Sequence, residues 1–214
     1  MSSPSARVDP RIVRSRELIL DAALQHFLEH GFLEATVDGV AAEAGVAKRT
    51  VYNLYGSKDD LFRAVMHWAT DTAARFVADH VDVVEGSIAG ASVDEELADF
   101  AVAHARAVVS PRVIAVRRLL VGEAMRFPDL AAEYFERVPS AVLAAISRRL
   151  RRLAEAGELS IDDAEMAAGH FAYLALGAPL DRALFVGAPE QSALDRAARQ
   201  GAAVFLRAYR APRA

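Results

Sequence analysis

Two short stretches of this chain hold residue types that can do chemistry. The first is His26-Phe27-Leu28-Glu29-His30, an H-x-x-E-H string with two imidazoles at i and i+4. On one face of a helix such a pair can share a metal ion, and the glutamate can activate water for hydrolysis. Gly31 ends the helix at once, however, and the sequence suggests no third ligand. The second stretch runs from Lys48 to Lys58, KRTVYNLYGSK, and holds three cations, two tyrosines, an asparagine and no acid. Both lysines of the chain lie in it; every other cationic side chain is an arginine. Arginine can grip O6 and N7 of guanine with two donors, and threonine can meet the thymine methyl. Tyr52, Asn53 and Lys58 suit phosphate oxygens.

The charge around these stretches narrows the choice. The chain has 214 residues and a formal net charge of −4. That balance argues against an architectural protein that coats nucleic acid, which needs a broadly basic surface. The positive charge is focused instead: residues 7–16 carry four arginines against Asp9, and 46–58 carry three cations against none. Absence of cysteine excludes disulfides, zinc–thiolate sites and thiol catalysis. The N-terminus lacks the apolar core of a signal peptide. The longest uncharged run, Met166 to Leu180 with His170 neutral, is interrupted by glycines and Pro179 and is too short to span a bilayer. A soluble cytoplasmic protein with no membrane partner is expected.

The elements that must position the two stretches are helical. Alanine dominates, and no segment alternates as a half-buried strand does. Ile19, Ala23 and Phe27 recur every four residues up to Gly31. Thr36 precedes a two-turn helix through Val37, Val40 and Ala41, and Gly45 can end it in the left-handed conformation. A turn at Val46-Ala47 leads to a further short helix, closed by Gly56. Ser57-Lys58-Asp59-Asp60 is an N-capping signature for the next. Longer helices follow over roughly 57–82, 93–109, 112–126, 129–156, 162–186 and 190–210, with a loop from Val83 to Ser92. Pro139 and Pro179 fall inside periodic segments and should kink or split them. The fold expected is all-α, with about nine helices.

Two short helices around Gly45-Val46-Ala47 make a helix-turn-helix, whose second helix enters a major groove. Lys48, Arg49 and Thr50 then stand at the end that meets base edges, and Thr36 at the cap of the preceding helix can meet phosphate beside backbone N–H groups. A plain helical turn with a solvated charge pair satisfies the same spacing.

ILDAALQHFLEHGFLEATVDGVAAEAGVAKRTVYNLYGSKDDLF resembles the DNA-binding head of the TetR/AcrR family of one-component transcriptional regulators. Ile19, Ala23, Phe27, Gly31, Thr36, Gly45, Thr50, Tyr52, Lys58 and Leu61 are on its pattern. More loosely, the segment from Arg117 to Leu159 and the helix to Val186 resemble the regulatory domain of the AcrR/AefR-like branch. Departures are Ala47 where a capping serine is common, Leu54 for His, Tyr55 for Phe, His26 for an apolar residue, and Gly39, which weakens a helix.

The resemblance implies a flexible basic arm at 1–12, a DNA-binding domain of three short helices at 13–57, and a ligand-binding and dimerisation domain at 58–214. It implies a repressor, not an enzyme, released from a palindromic double-stranded DNA operator by a small apolar or amphipathic effector. No cofactor or metal is expected. The DNA-binding candidates are Thr36, Lys48, Arg49, Thr50, Tyr52, Asn53 and Lys58. The effector candidates are Trp68, Thr72, Phe100, His104, Arg117, Phe127, Tyr134 and Phe171. Arg117 can meet an acidic ligand or pair with Glu123. The alternative function is a zinc metallohydrolase using His26, Glu29 and His30. Arg148-Arg149-Leu150-Arg151-Arg152 could serve as a second nucleic-acid patch, but the arginines are expected on the solvated face of a long helix whose Leu150 and Leu153 point inward. Two small-residue stripes, Ala164 to Ala178 and Leu194 to Ala208, favour close helix packing, either within the subunit or as the four-helix seam of a homodimer.

Overall fold

The computed structural model describes residues 10–79 and 92–212, with side chains from 15 to 78 and from 92 to 212. The expected arm at 1–12 and loop at 83–92 lie largely outside the described residues. Among the described residues there are ten helices: α1 (Pro10–Glu34), α2 (Val37–Glu43), α3 (Lys48–Tyr55), α4 (Lys58–Asp79), α5 (Val93–Val108), α6 (Pro111–Gly122), α7 (Pro128–Arg137), α8 (Pro139–Glu155), α9 (Ala164–Phe185) and α10 (Gln191–Tyr209). No strand occurs among them, only an isolated bridge of Leu159 with Arg210. One helix more than expected arises at Pro139. Without an N–H to give, it stands at the start of α8 and divides the segment after Arg137. Pro179 is instead carried inside α9.

The chain forms two compact units, Met1–Asp71 with Leu119–Leu130, and Thr72–Arg118 with Ala131–Ala214. The boundaries fall inside α4, α6 and α7, so residues 58–71 and 119–130 belong with the head, beyond the expected limit at 57.

In the first unit α1 buries Ile19, Ala23, Leu24 and Phe27. Gly31, at φ +70°, breaks the helix, because the left-handed turn suits a residue without Cβ. The carbonyls stranded beyond it find a donor far along the chain. The Lys58 ammonium donates to the carbonyl oxygens of Phe32 at 2.8 Å, Leu33 at 3.0 Å and Ala35 at 3.1 Å. A cation suits a helix C-terminus, and three donors meet three acceptors. Below it Phe27, Phe32, Phe62 and Phe127 pack ring against ring at 4.9–6.1 Å, mostly edge to face. Arg126 stands over Phe32 and Arg63 over Phe127, and these arginines pair with Asp59 and Asp129. Ser57 caps α4 as expected, its Oγ accepting from the Asp60 N–H at 3.0 Å.

The second unit has its own core, built on Leu97, Phe100, Ala101, Ile146, Leu150, Phe171 and Phe205. Ser92 and Glu95 form a reciprocal capping box at the start of α5. Arg149, expected on a solvated face, lies inside: it and Glu96 form an ion pair at 2.7 Å with both side chains 4% exposed. Its guanidinium also covers the Phe100 ring at 4.8 Å. The small-residue stripes divide. Ala167, Ala168, Ala175, Ala198 and Gly201 are buried within the unit. Gly201 lets α10 close on α9, since a Cβ there would stand 2.3 Å from the Leu174 carbonyl oxygen.

No rotamer relieves a clash with backbone. Gly201→Ala is therefore expected to cost about 3 kcal/mol and lower the melting temperature by roughly 6–12 °C. Gly122→Ala, in a helix with nothing within 4 Å of the new methyl, should be neutral or mildly stabilising. Thermal unfolding followed by circular dichroism compares the two.

Candidate nucleic-acid interface and effector cluster

The helix-turn-helix is assembled from α2, a turn and α3. Val37, Val40 and Ala41 seat α2, and Val51 alone is the buried anchor of α3, which leaves the rest of α3 for recognition. Thr36 caps α2, its Oγ1 accepting from the Gly39 N–H at 3.0 Å. Ala47 gives α3 no side-chain cap. Gly45 and Gly56 take φ of +66° and +76° and turn the chain at either side.

The expected contact residues differ in how far they are already committed. Lys48, Arg49, Tyr52 and Asn53 are exposed and Thr50 is half-buried. Lys48 pairs with Asp38 at 2.7 Å, and that hydrogen bond holds its ammonium above the usual lysine value. Arg49 bonds to no partner among the described residues. Lys58 is placed otherwise than a phosphate contact requires: its three donors are taken by the carbonyls after Gly31. A phosphate would have to displace at least one of them. The Tyr55 hydroxyl, where phenylalanine is usual, is buried without a partner among the described residues, and desolvation raises its pKa.

Two departures from the family pattern turn out to be one. The His26 ring lies against Gly39, where a Cβ would come within 2.4 Å of Cε1 and 2.6 Å of Nε2. With the imidazole where it lies, a side chain at 39 would force the ring to move, and glycine leaves it room. His26 is 7% exposed, and its Nδ1 meets Glu43 Oε1 at 2.5 Å while Nε2 accepts the Thr36 backbone N–H at 3.3 Å. Nothing in the chain order says that α2 meets α1 at this turn, so the link between the two residues is not legible in the sequence.

In the second unit, five of the expected effector residues come together. Phe171 stacks on Phe100 at 5.6 Å, and Phe100 on His104 at 6.0 Å. Arg117 lies near enough to act on His104, and its Nε donates to the Tyr134 hydroxyl at 3.3 Å. Phe127 is not among them; it completes the aromatic cluster of the first unit. Trp68 also falls in the first unit, and Thr72 is exposed on α4. Two open surface clefts, one around Arg151, Ile161 and Asp163 and one around Asp94, Arg199 and Arg210, are lined by none of the expected residues. Arg149, over Phe100, was missed: a run of arginines gives no sign of which one faces inward.

Burial, with a smaller push from the Arg117 charge, lowers the His104 imidazole from 6.5 to about 4. The unfolded chain then binds the extra proton between these values. Stability from this group is complete above about pH 6.5 and is lost as pH falls toward 4, by at most about 3 kcal/mol. Urea unfolding near pH 7 and near pH 5 should show the loss, and a His104→Gln variant should show a flatter profile. Equal profiles would assign the acid sensitivity to other groups.

Comparison with known proteins agrees with this geometry. Residues 19–65 match the family described as bacterial regulatory proteins, tetR family. Residues 95–211, more than half of the chain, match the AefR-like transcriptional repressor, C-terminal domain. The HTH-type transcriptional repressor SCO4008 of Streptomyces coelicolor is 33% identical over 119 residues, 56% of this chain and 53% of that protein. The chain thus spans about half the length of that relative in the match. A TetR-family regulator from Mesorhizobium loti superposes with a TM-score of 0.83 over 94% of this chain and all of its own, at 24% identity, which speaks for the fold. The flavonoid-responsive regulator FrrA superposes with a TM-score of 0.64 and 28% identity, over 94% of this chain and all of its own. No helix among the described residues is long and apolar enough to cross a membrane. The H-x-x-E-H string therefore sits in the head of a regulator and not in a hydrolase, and the chain belongs to the TetR family of transcriptional regulators.

Proposed function

We propose that this protein is a dimeric repressor that holds a palindromic operator through α3 and leaves it when a small aromatic effector binds. The observation that carries the reading is Arg49. It stands exposed in the first turn of α3, uncommitted among the described residues, while Lys48 and Lys58 are already bonded. Arg49 reads a base edge; Lys48, once released by Asp38, Thr36, Tyr52 and Asn53 position the backbone, and Thr50 lies against the groove. The effector meets Phe171, Phe100, His104, Arg117 and Tyr134, and because Phe171, Phe100 and Tyr134 are buried in the second unit, its entry requires that packing to open. A flat ring suits the stacked aromatics, and an acidic or phenolic oxygen suits Arg117 beside a neutral imidazole. The relative FrrA is named for its response to flavonoids, which are molecules of this shape. Such a protein works in the cytoplasm.

Dimerisation is supported by what the core leaves uncovered. Met166, Tyr173, Leu174 and Phe185 are exposed along one face of α9, and Val204 on α10. A two-fold seam there sets two heads on half-sites about one DNA turn apart. Tyr173→Asp, a charge placed on that face, should shift the protein from dimer to monomer in sedimentation at micromolar concentration. An unshifted dimer would place the seam elsewhere.

The test of the reading is a mobility shift with the DNA flanking the gene of this protein, then a salt series on cognate and scrambled duplexes. Arg49→Ala should cost about 1–3 kcal/mol on the cognate site and flatten the preference. Lys58→Ala should appear first as a lower melting temperature, because it strands three carbonyls. Parent-like binding by Arg49→Ala would remove α3 as the reader.

A further inference from the structure

We infer that His26, His30 and Glu43 form a site for a transition-metal dication of the zinc class, and that the bound metal weakens the hold of the head on DNA. The second half rests on the operator-binding role proposed above; the first stands on geometry alone. The sequence offers His26 and His30 one helical turn apart but no third ligand. Folding supplies one, and it is not Glu29. Glu43, in the last turn of α2, brings its carboxylate to 2.5 Å from His26 Nδ1, and the two imidazole rings lie 4.4 Å apart. The ligand atoms of all three residues fall within 4.8 Å of one another. An ion with bonds of about 2.0–2.2 Å to nitrogen and oxygen needs its donors about 3.4 Å apart, so small side-chain shifts complete the set. Two imidazoles and one carboxylate select zinc, cobalt, nickel or copper over magnesium or calcium. The ring of His26 is fixed by its seat on Gly39, while His30 and Glu43 are exposed and open the site to a metal from solution.

The link to DNA follows from the imidazole itself. A neutral ring has one nitrogen lone pair. In this structure Nε2 uses it to accept the Thr36 N–H, so Nδ1 carries the hydrogen and donates it to Glu43. A metal takes the lone pair at Nδ1. The ring hydrogen must then sit on Nε2, where it faces the Thr36 N–H, donor against donor. No net proton is lost by the ring; it changes nitrogen. The His26–Thr36 bond cannot coexist with the metal, and Thr36 is the residue that caps α2 and enters the helix-turn-helix.

The experiment uses the full chain freed of metal with a chelator. Cobalt(II) titration should give the visible absorption of a tetrahedral site, and zinc titration calorimetry one ion per chain. His30→Ala and Glu43→Gln, both at exposed positions, should each weaken the metal by roughly tenfold or more, with circular dichroism unchanged. Absence of the cobalt band, or equal affinity in both variants, would overturn the site, the latter by placing the ion elsewhere. One equivalent of zinc should weaken operator binding by the parent roughly tenfold and leave His30→Ala unaffected. Metal binding with unchanged or tighter operator binding would overturn the coupling while the site stands. Failure of the metal-free protein to shift any DNA would instead strike the repressor reading, with the cobalt spectrum still deciding the site.

Discussion

An ammonium group donated to three main-chain carbonyls sets the shape of the head. When α1 breaks at Gly31, the acceptors beyond it need partners, and buried carbonyls without them are costly. Lys58 meets Phe32, Leu33 and Ala35 from the first position of α4, 23 to 26 residues away in sequence. The start of α4 is thereby tied to the end of α1, with the helix-turn-helix enclosed between. The four phenylalanines under this junction then pack in one arrangement, which brings Phe127 in from the 119–130 segment. A long polar side chain decides the geometry, and the aromatic cluster makes it durable.

This division of labour accounts for the focused charge. Of three cations in an acid-free run, one locks the fold, one is held by Asp38, and Arg49 remains uncommitted among the described residues. An acidic protein can meet a polyanion when a few donors are presented on a helix whose other residues are neutral, because specificity comes from base edges and not from bulk charge.

The helical periods and the turn residues were legible in the sequence, since capping serine, helix-ending glycine and four-residue apolar spacing are local. Ser57, Gly31 and Ile19-Ala23-Phe27 act in the structure as their types suggest. What was not legible is tertiary. Gly39 looked like a weakness in a helix until the His26 ring was found against it. Arg149 looked like its neighbours until Glu96 was found opposite. Lys58 looked like a phosphate ligand because a cation beside a recognition helix usually is one. The effector candidates were read by composition, so five met in space and Phe127 went to another core.

The buried Glu96–Arg149 pair bears on how this chain can change by descent. Loss of either partner strands a charge inside the second unit, which typically costs 3–5 kcal/mol, a large share of the stability of a domain. A matched replacement of both by apolar residues is often neutral or better. Substitution at either position alone is therefore costly, and an exchange of both must also replace the other contacts of the two side chains, the cover over Phe100 among them. Substitutions around Phe100, which Arg149 covers, meet that barrier along with the ring. The two positions are therefore expected to change together, and the aromatic floor beside them lies under a guanidinium that a single substitution cannot remove without that cost.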